Sequence, residues 1–96
     1  MKANKIISRK EPIDENTFIQ MRIWLVQKDV YYPEGIKYSL VLVKENRRLF
    51  GYDNHEGKGH HKHVGNFEHK YAFKDIRKLI LDFRQEVTSY LERKWN

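Results

Sequence analysis

The chain contains no cysteine, which excludes disulfide bonds and zinc sites built on thiolates. No apolar run approaches the roughly 20 residues that a membrane-spanning helix needs, so we expect no membrane span. Residues 1–10, MKANKIISRK, lack the apolar stretch of a secretory signal, so the sequence does not indicate export. Together these absences fit a cytoplasmic protein.

The residues that are present make a small, basic and moderately hydrophobic chain. Its 96 residues suffice for one compact domain, so we expect residues 1–96 to form a single domain, with residues 1–10 as a flexible or an edge segment. Lysine and arginine total 19 against 13 acidic residues, which gives a net charge of +6. Such an excess favours polyanionic partners, nucleic acid first, and it also suits an acidic protein.

Alternating apolar and polar residues predict strands in the first half of the chain. The segment FIQMRIWLVQ at residues 18–27 alternates with a period of two, and the preceding ISRKEPI could fold back on it through a turn. Pro12 would keep that first strand at an edge of the sheet, because proline cannot donate to a ladder. Residues 36–54 are predicted to form a hairpin with its turn at Glu45 and Asn46.

The periodicity changes near residue 74, where apolar residues begin to recur at three- and four-residue steps: Ile76, Leu79, Ile80, Phe83, Val87, Tyr90 and Leu91. No glycine or proline interrupts them, so we predict an amphipathic helix of roughly 20 residues, about 30 Å long. The helix cannot bury its apolar stripe alone and should lie across the sheet. The predicted fold is α+β, with a three- to four-stranded antiparallel sheet and one long C-terminal helix packed on one face.

One helix leaves the other face of the sheet open. If Leu42 lies opposite Leu49 in the hairpin, that face carries basic and aromatic side chains: Arg22, Trp24, Lys37, Arg48, Phe50 and Tyr52. Surfaces for single-stranded RNA combine such groups, because rings stack on bases and cations bind phosphates. We therefore predict RNA-binding roles for Arg22, Trp24, Lys37, Arg48 and Lys62. The same mixture is also ordinary on half-solvated sheets.

Residues 51–63, GYDNHEGKGHHKH, contain four of the five histidines. If the segment HKHVG is extended, His61 and His63 point the same way. One imidazole could take the 2′-hydroxyl proton of RNA while the other protonates the leaving 5′-oxygen, and Lys58 could stabilise the phosphorane. The catalytic candidates are these three residues, with Asp53 to orient an imidazole and Tyr52 to assist.

Other interpretations of the same segment stay open. A divalent metal could bind to histidine and carboxylate ligands drawn from Asp53, His61, His63 and Glu68. Gly57 and Gly59 give the backbone freedom around Lys58, which suits either a bound anion or a plain flexible turn. Paired histidines on a loop are also often only polar surface.

The segment resembles the signature of the TumE-like toxin family, the toxin components of type II toxin–antitoxin pairs. The resemblance rests on Lys37-Tyr38 in the hairpin, Tyr52-Asp53-Asn54, Gly57-Lys58-Gly59, His61-Lys62-His63, the aromatic pair of YAF at 71–73, and the terminal helix. His60 stands where the family usually has aspartate. Any orienting or metal-binding role of that aspartate would have to pass to Asp53 or Glu68.

The resemblance implies a cytoplasmic toxin that a cognate antitoxin protein holds inactive. Many such toxins act on RNA, so by analogy we interpret the chain as a small endoribonuclease that needs no cofactor. The alternative is a non-catalytic module that binds nucleic acid or protein, with metal at the histidines as a further variant.

Overall fold

The computed structural model describes residues 3–55 and 58–95, and these form six strands followed by one helix. The elements are β1 (Asn4–Asp14), β2 (Thr17–Leu25), β3 (Ile36–Lys44), β4 (Arg47–Asp53), β5 (His61–Val64), β6 (Phe67–Lys70) and α1 (Ile76–Trp95). All strands join one antiparallel sheet in chain order. The α+β class and the C-terminal helix are confirmed, whereas the predicted number of three to four strands was too low.

The extra strands are β5 and β6, which lie in the polar segment after the predicted hairpin. Their residues, HKHV and FEHK, hold few apolar side chains, so alternation of hydrophobicity could not reveal them. Their geometry comes from pairing, because β5 adds to β4 with Val64 opposite Phe50. Gly65 then adopts a φ of 59°, a left-handed conformation that glycine tolerates, and the chain turns back into β6.

The N-terminal strand β1 lies at the edge of the sheet and pairs only with β2 within the described residues. Pro12 belongs to it, as predicted for a residue that cannot donate to a second ladder. Residues 4–10 are therefore part of an edge strand. The long connection between β2 and β3 contains Pro33 and Gly35, where the sequence predicted a loop.

The core lies between α1 and one face of the sheet. Leu79, Phe83 and Val87 pack there against alternate side chains of β2, β3 and β4, which are Ile19, Met21, Ile23, Tyr38, Leu40, Leu42, Phe50 and Tyr52. Phe83 is fully buried, with ring centroids 5.7 Å from Phe50 and 5.8 Å from Tyr52. Burial of one such side chain stabilises a fold by roughly 1.5–3 kcal/mol.

Helix α1 begins at a cap and is tied to the sheet beyond its apolar stripe. The Asp75 carboxylate accepts a hydrogen bond from the Lys78 amide at 2.7 Å, which satisfies one free N–H of the first turn. Arg84 donates two hydrogen bonds to Glu11 on β1, at 3.0 and 2.7 Å. These bonds hold the pKa of Glu11 below its ordinary value. No helix in the described part of the chain is long and apolar enough to cross a membrane.

The β3–β4 hairpin has the predicted turn but not the predicted register. Glu45 and Asn46 adopt left-handed φ values of 51° and 64°, as a two-residue hairpin turn requires. Leu42, however, lies opposite Phe50, because a β-bulge leaves Leu49 as an extra residue. A shift of one residue moves the following side chains to the other face.

The predicted placement of Phe50 and Tyr52 on the open face was therefore wrong. Both side chains lie under α1, with only 2% and 3% of their surface exposed.

Candidate functional site

The face opposite α1 brings together the carboxylate and the histidine pair that the sequence singled out. Asp53 ends β4 directly across from His61, and Gly51 lies across from His63. Because alternate residues of a strand share a face, Asp53, His61 and His63 all lie on the open side. The extended conformation that would pair His61 with His63 is thus the observed one.

Asn54 anchors the end of β4 where this carboxylate stands. Its side chain is buried, accepts a hydrogen bond from the Tyr38 amide at 2.8 Å and donates one to the Ile36 carbonyl at 2.7 Å. These bonds fasten the chain after Asp53 to the start of β3. Asn54 is a positioning residue that the sequence had marked only as a turn former.

Asp53 and His63 form the central contact of the site. Oδ2 of Asp53 lies 3.1 Å from Nε2 of His63. The carboxylate is 16% exposed and the imidazole 40% exposed, so the pair is partly shielded but open to a ligand. A carboxylate this close to one ring nitrogen restricts the orientation of the imidazole.

His55 approaches the same carboxylate and was not among the predicted site residues. Its Nε2 lies 3.9 Å from Oδ2 of Asp53, and its backbone N–H donates to Oδ1 at 3.4 Å. The signal in the sequence was the spacing Asp-x-His at a strand end, where an aspartate commonly accepts from the amide two residues on.

His61 is engaged at both ring nitrogens. Nε2 faces the carbonyl oxygen of Lys58, and Nδ1 lies 3.2 Å from Oε1 of Glu68. The Nδ1 contact meets an ion-pair distance but not the angles of a hydrogen bond, so the attraction to Glu68 is mainly electrostatic. His61 is thus held in place through Nε2, while Nδ1 faces the Glu68 carboxylate without a hydrogen bond.

A depression of about 310 Å³ opens beside the Asp53–His63 pair. Its lining includes Ser39, Val41, Arg48, Gly51, Asp53, His55 and His63. Gly51 makes the floor possible, since a Cβ atom there would lie 2.8 Å from the Leu40 carbonyl oxygen. Arg48 is exposed and adds a permanent positive charge to the rim. The depression thus combines a proton carrier, its carboxylate partner and a cation, which suits a phosphate group.

His60 lies outside this depression, although it occupies the position of the aspartate in the resembled pattern. Its ring stacks on Phe73 at 4.5 Å, its Nδ1 contacts the Tyr38 hydroxyl at 2.9 Å, and its Nε2 lies 3.1 Å from Glu34. His60 therefore packs the start of β5 against the β2–β3 loop. The carboxylates near the histidine pair are Asp53 and Glu68 instead.

Comparison with protein families gives a match to a family model described as Toxin TumE, over residues 4–91. The chain belongs to the TumE toxin family. The matched range runs from β1 into α1 and contains the whole open face. Membership in the TumE family implies a toxin with a cognate antitoxin. No curated protein and no solved structure matches the chain significantly.

Two predicted residues of this TumE-family chain lie on the helix side, away from the histidine pair. The Tyr52 hydroxyl donates to Glu86 of α1, and the Lys62 ammonium lies 3.2 Å from the same carboxylate. Burial raises the pKa of Tyr52, and its hydrogen bond to Glu86 raises it further. The prediction that Tyr52 joins the histidines was wrong, because the bulge in β4 reverses its face.

Lys58 follows residues 56 and 57, which the structure does not describe, and its carbonyl oxygen faces His61. Its side chain is exposed, and its backbone N–H donates to the His55 carbonyl at 3.1 Å. Gly59 has a left-handed φ of 74°, so the predicted backbone freedom is used at this position. Gly57 lies outside the described residues.

The predicted RNA-binding residues of β2 to β4 lie on the open face of the TumE sheet. Trp24 is paired with Lys37, whose ammonium stands 5.6 Å from the centre of the indole. Arg22 is exposed and lies opposite Ser39, which lines the depression with Arg48.

Within residues 3–55 and 58–95, no group of three or more histidine, aspartate or glutamate side chains is arranged to hold a metal ion. The metal site at Asp53, His61 and His63 stays a prediction from their chemistry.

Proposed function

We propose that this TumE-family toxin is an endoribonuclease with its acid–base centre at Asp53 and His63. The observation that carries the proposal is the 3.1 Å contact between their side chains at a depression that Arg48 also lines. A carboxylate-oriented imidazole beside a cation is what removal of a proton next to a phosphate requires.

The proposed reaction needs only RNA and the side chains of the site. The free nitrogen of His63 takes the proton of a 2′-hydroxyl, and the resulting oxygen attacks the adjacent phosphorus. The bond to the 5′-oxygen breaks, and that oxygen receives a proton. The products are a 2′,3′-cyclic phosphate and a 5′-hydroxyl, with charge on the phosphorane balanced by Arg48 and Lys58.

His61 is the proposed donor of that second proton. It lies two residues from His63 on the same strand, so their Cα atoms are roughly 7 Å apart. The Glu68 carboxylate lies 3.2 Å from its Nδ1, as Asp53 lies 3.1 Å from His63, so each ring of the pair has a carboxylate beside one nitrogen. His55 is the competitor for this role, because its Nε2 also approaches Oδ2 of Asp53, at 3.9 Å.

The test is cleavage of a short RNA by the wild type and by His63→Ala, His61→Ala, His55→Ala and Asp53→Asn. Loss of either proton carrier should lower the rate by about two to four orders of magnitude, with a bell-shaped profile centred roughly between pH 6 and 7. His69→Ala is the matched control, since His69 is exposed and pairs with Lys62 on the helix side of the sheet.

Full activity in both His61→Ala and His63→Ala would refute the catalytic centre. Each reaction is run with and without EDTA. Activity that disappears with EDTA, together with equal damage from Asp53→Asn and His63→Ala, would support the metal-dependent alternative instead.

A second candidate function is a toxin that blocks its target by binding without cleavage. It is favoured by the engagement of both His61 nitrogens and by the basic and aromatic residues Arg22, Trp24 and Lys37 on the open face. In that case growth inhibition should survive His63→Ala and should be lost with Arg22→Ala. Intact RNA after incubation with the wild type would support this candidate.

A further inference from the structure

We propose that Trp24 is a stacking site for one base of single-stranded RNA, with Arg22 and Lys37 as the cations that hold the flanking phosphates. The inference rests on the proposed function for its choice of RNA as the ligand. It adds a binding subsite on β2 and β3, beside the depression and separate from the proton carriers.

The first observation is the arrangement around the indole. Trp24 and Lys37 are direct partners across β2 and β3, and the ammonium stands 5.6 Å from the ring centre. Trp24 is only partly buried, on a face that α1 does not cover. The ammonium lies over the ring, so a base that stacks there takes its place, and the displaced cation is then near the phosphate of that nucleotide.

The second observation is the alignment of this subsite with the depression. The pairings place Arg22 opposite Ser39, Ser39 opposite Asp53, and Asp53 opposite His61, in one row across four strands. Neighbouring strands lie about 4.8 Å apart, so Arg22 is roughly 10 Å from Asp53. Trp24 lies one alternation further along β2, roughly 7 Å from Arg22. A base at Trp24 would therefore belong to a nucleotide near the cleaved bond but not at it.

The third observation is the charge of the described open-face positions on β1 to β3. They include Lys5, Lys10, Arg22 and Lys37 and no aspartate or glutamate, while carboxylates begin at Asp53 on β4. A polyanion fits the first three strands by charge. The aromatic ring favours a nucleic acid over an acidic peptide, because stacking requires a base.

Stacking is tested with a fully 2′-O-methylated oligoribonucleotide of about eight nucleotides, a length typical of single-strand sites. The methyl groups block the 2′-hydroxyl attack, so binding is measured without cleavage. In a Trp95→Phe background, quenching of the remaining indole fluorescence reports contact at Trp24. Trp24→Ala, followed by anisotropy of a labelled oligonucleotide, should weaken binding roughly five- to one-hundred-fold, and Trp24→Phe should restore much of it.

Matched controls separate stacking from loss of surface in general. Phe67→Ala removes an exposed ring from the helix side of β6 and should leave affinity unchanged. Arg22→Ala and Lys37→Ala should each lower the slope of affinity against salt by about one. Circular dichroism and melting of each variant show that the fold is retained, and Trp24→Phe keeps the test valid if the alanine variant unfolds.

The outcomes distinguish this inference from the proposed reaction. If the protein cuts no RNA but its binding depends on Trp24, the stacking site is supported and the endoribonuclease function is refuted. Cleavage of RNA by a Trp24→Ala variant with unchanged KM, or unchanged affinity for the oligonucleotide, would refute the subsite and retain the nuclease. Equal competition by polyglutamate would show a general anion surface and would overturn stacking as the basis of recognition.

Discussion

Replacement of Gly51 by alanine tests the floor of the depression and the register of β4 together. The new Cβ atom would lie 2.8 Å from the Leu40 carbonyl oxygen, which is backbone and cannot rotate away as a side chain could. Overpacking of this kind costs about 1–3 kcal/mol. Alanine also lowers the conformational entropy of the unfolded chain, which stabilises the folded protein by about 0.4–1 kcal/mol. The cost of the clash is larger, so we expect the free energy of unfolding to fall by about 1–2 kcal/mol.

For a domain of this size, that loss corresponds to a fall in Tm of roughly 5–15 °C. Thermal and urea unfolding of the variant measure it, and RNA cleavage at a temperature where the variant is folded measures the effect on the site. Gly35→Ala is the matched control. Gly35 has a left-handed φ of 73°, so alanine should cost a comparable amount there, and Gly35 does not line the depression.

An unchanged stability of Gly51→Ala would contradict the close approach of the β3 backbone to β4 at Gly51. A destabilised variant with full activity would instead show that the depression beside His63 is not where RNA reacts. A loss of cleavage in Gly35→Ala equal to that in Gly51→Ala would trace the effect to stability alone.

Three further predictions concern the helix side and the partner. Hydrogen bonds from Arg84 hold the pKa of Glu11 below its ordinary value of 4.5, so this pair stabilises the fold above pH 4.5 and the stabilisation is lost as pH falls through the lowered pKa. Glu11→Gln should remove this contribution to acid unfolding. The contribution is about 1 kcal/mol or less, because the Glu11 and Arg84 side chains are 28% and 41% exposed. Tyr52→Phe should lower the free energy of unfolding by about 1–2 kcal/mol through its lost bond to Glu86 and leave RNA cleavage unchanged; a large loss of activity would contradict its placement under α1. The cognate antitoxin should cover residues 58–63, so hydrogen exchange there should slow in an inactive complex, and a complex with this loop exposed and full activity would refute occlusion.

The order of the main elements could be predicted because hydrophobic periodicity reports burial directly. Residues 18–27 alternate with a period of two and residues 36–43 end in an apolar run before a turn, and the structure forms β2 and β3 there. The recurrence of Leu79, Phe83 and Val87 at four-residue steps likewise identified α1 and its buried stripe.

The two faces of β4 could not be assigned because a single extra residue decides them. Leu49 is apolar and fits a regular strand, so its residue type does not predict the bulge that the structure has there. The turn at Glu45 and Asn46 was correct, yet the register beyond it moved by one residue. As a result, Phe50 and Tyr52 lie on the helix side, and Gly51 and Asp53 lie on the open face.

Residue chemistry identified the candidate site in the sequence, but the contacts between its residues could not be predicted. Asp53, His61 and His63 carried a recognisable combination of donor types, but the pairing of Asp53 with His63 depends on the β4–β5 register. The register is set by backbone pairing of β5, a strand with few apolar side chains that hydrophobic periodicity could not place. The role of His60 in packing against Phe73 was also hidden, since the contact joins residues brought together by tertiary structure.

The division of the sheet into a covered and an open face has an evolutionary consequence. Along β2, alternate residues build the core while their neighbours contact solvent, so substitutions at Arg22 or Trp24 should cost little stability. Under the proposed function, the open face can therefore change its ligand by point mutation while the core is kept. An insertion or deletion of one residue within a strand instead exchanges the two sets of side chains beyond it, as the extra residue Leu49 does in β4.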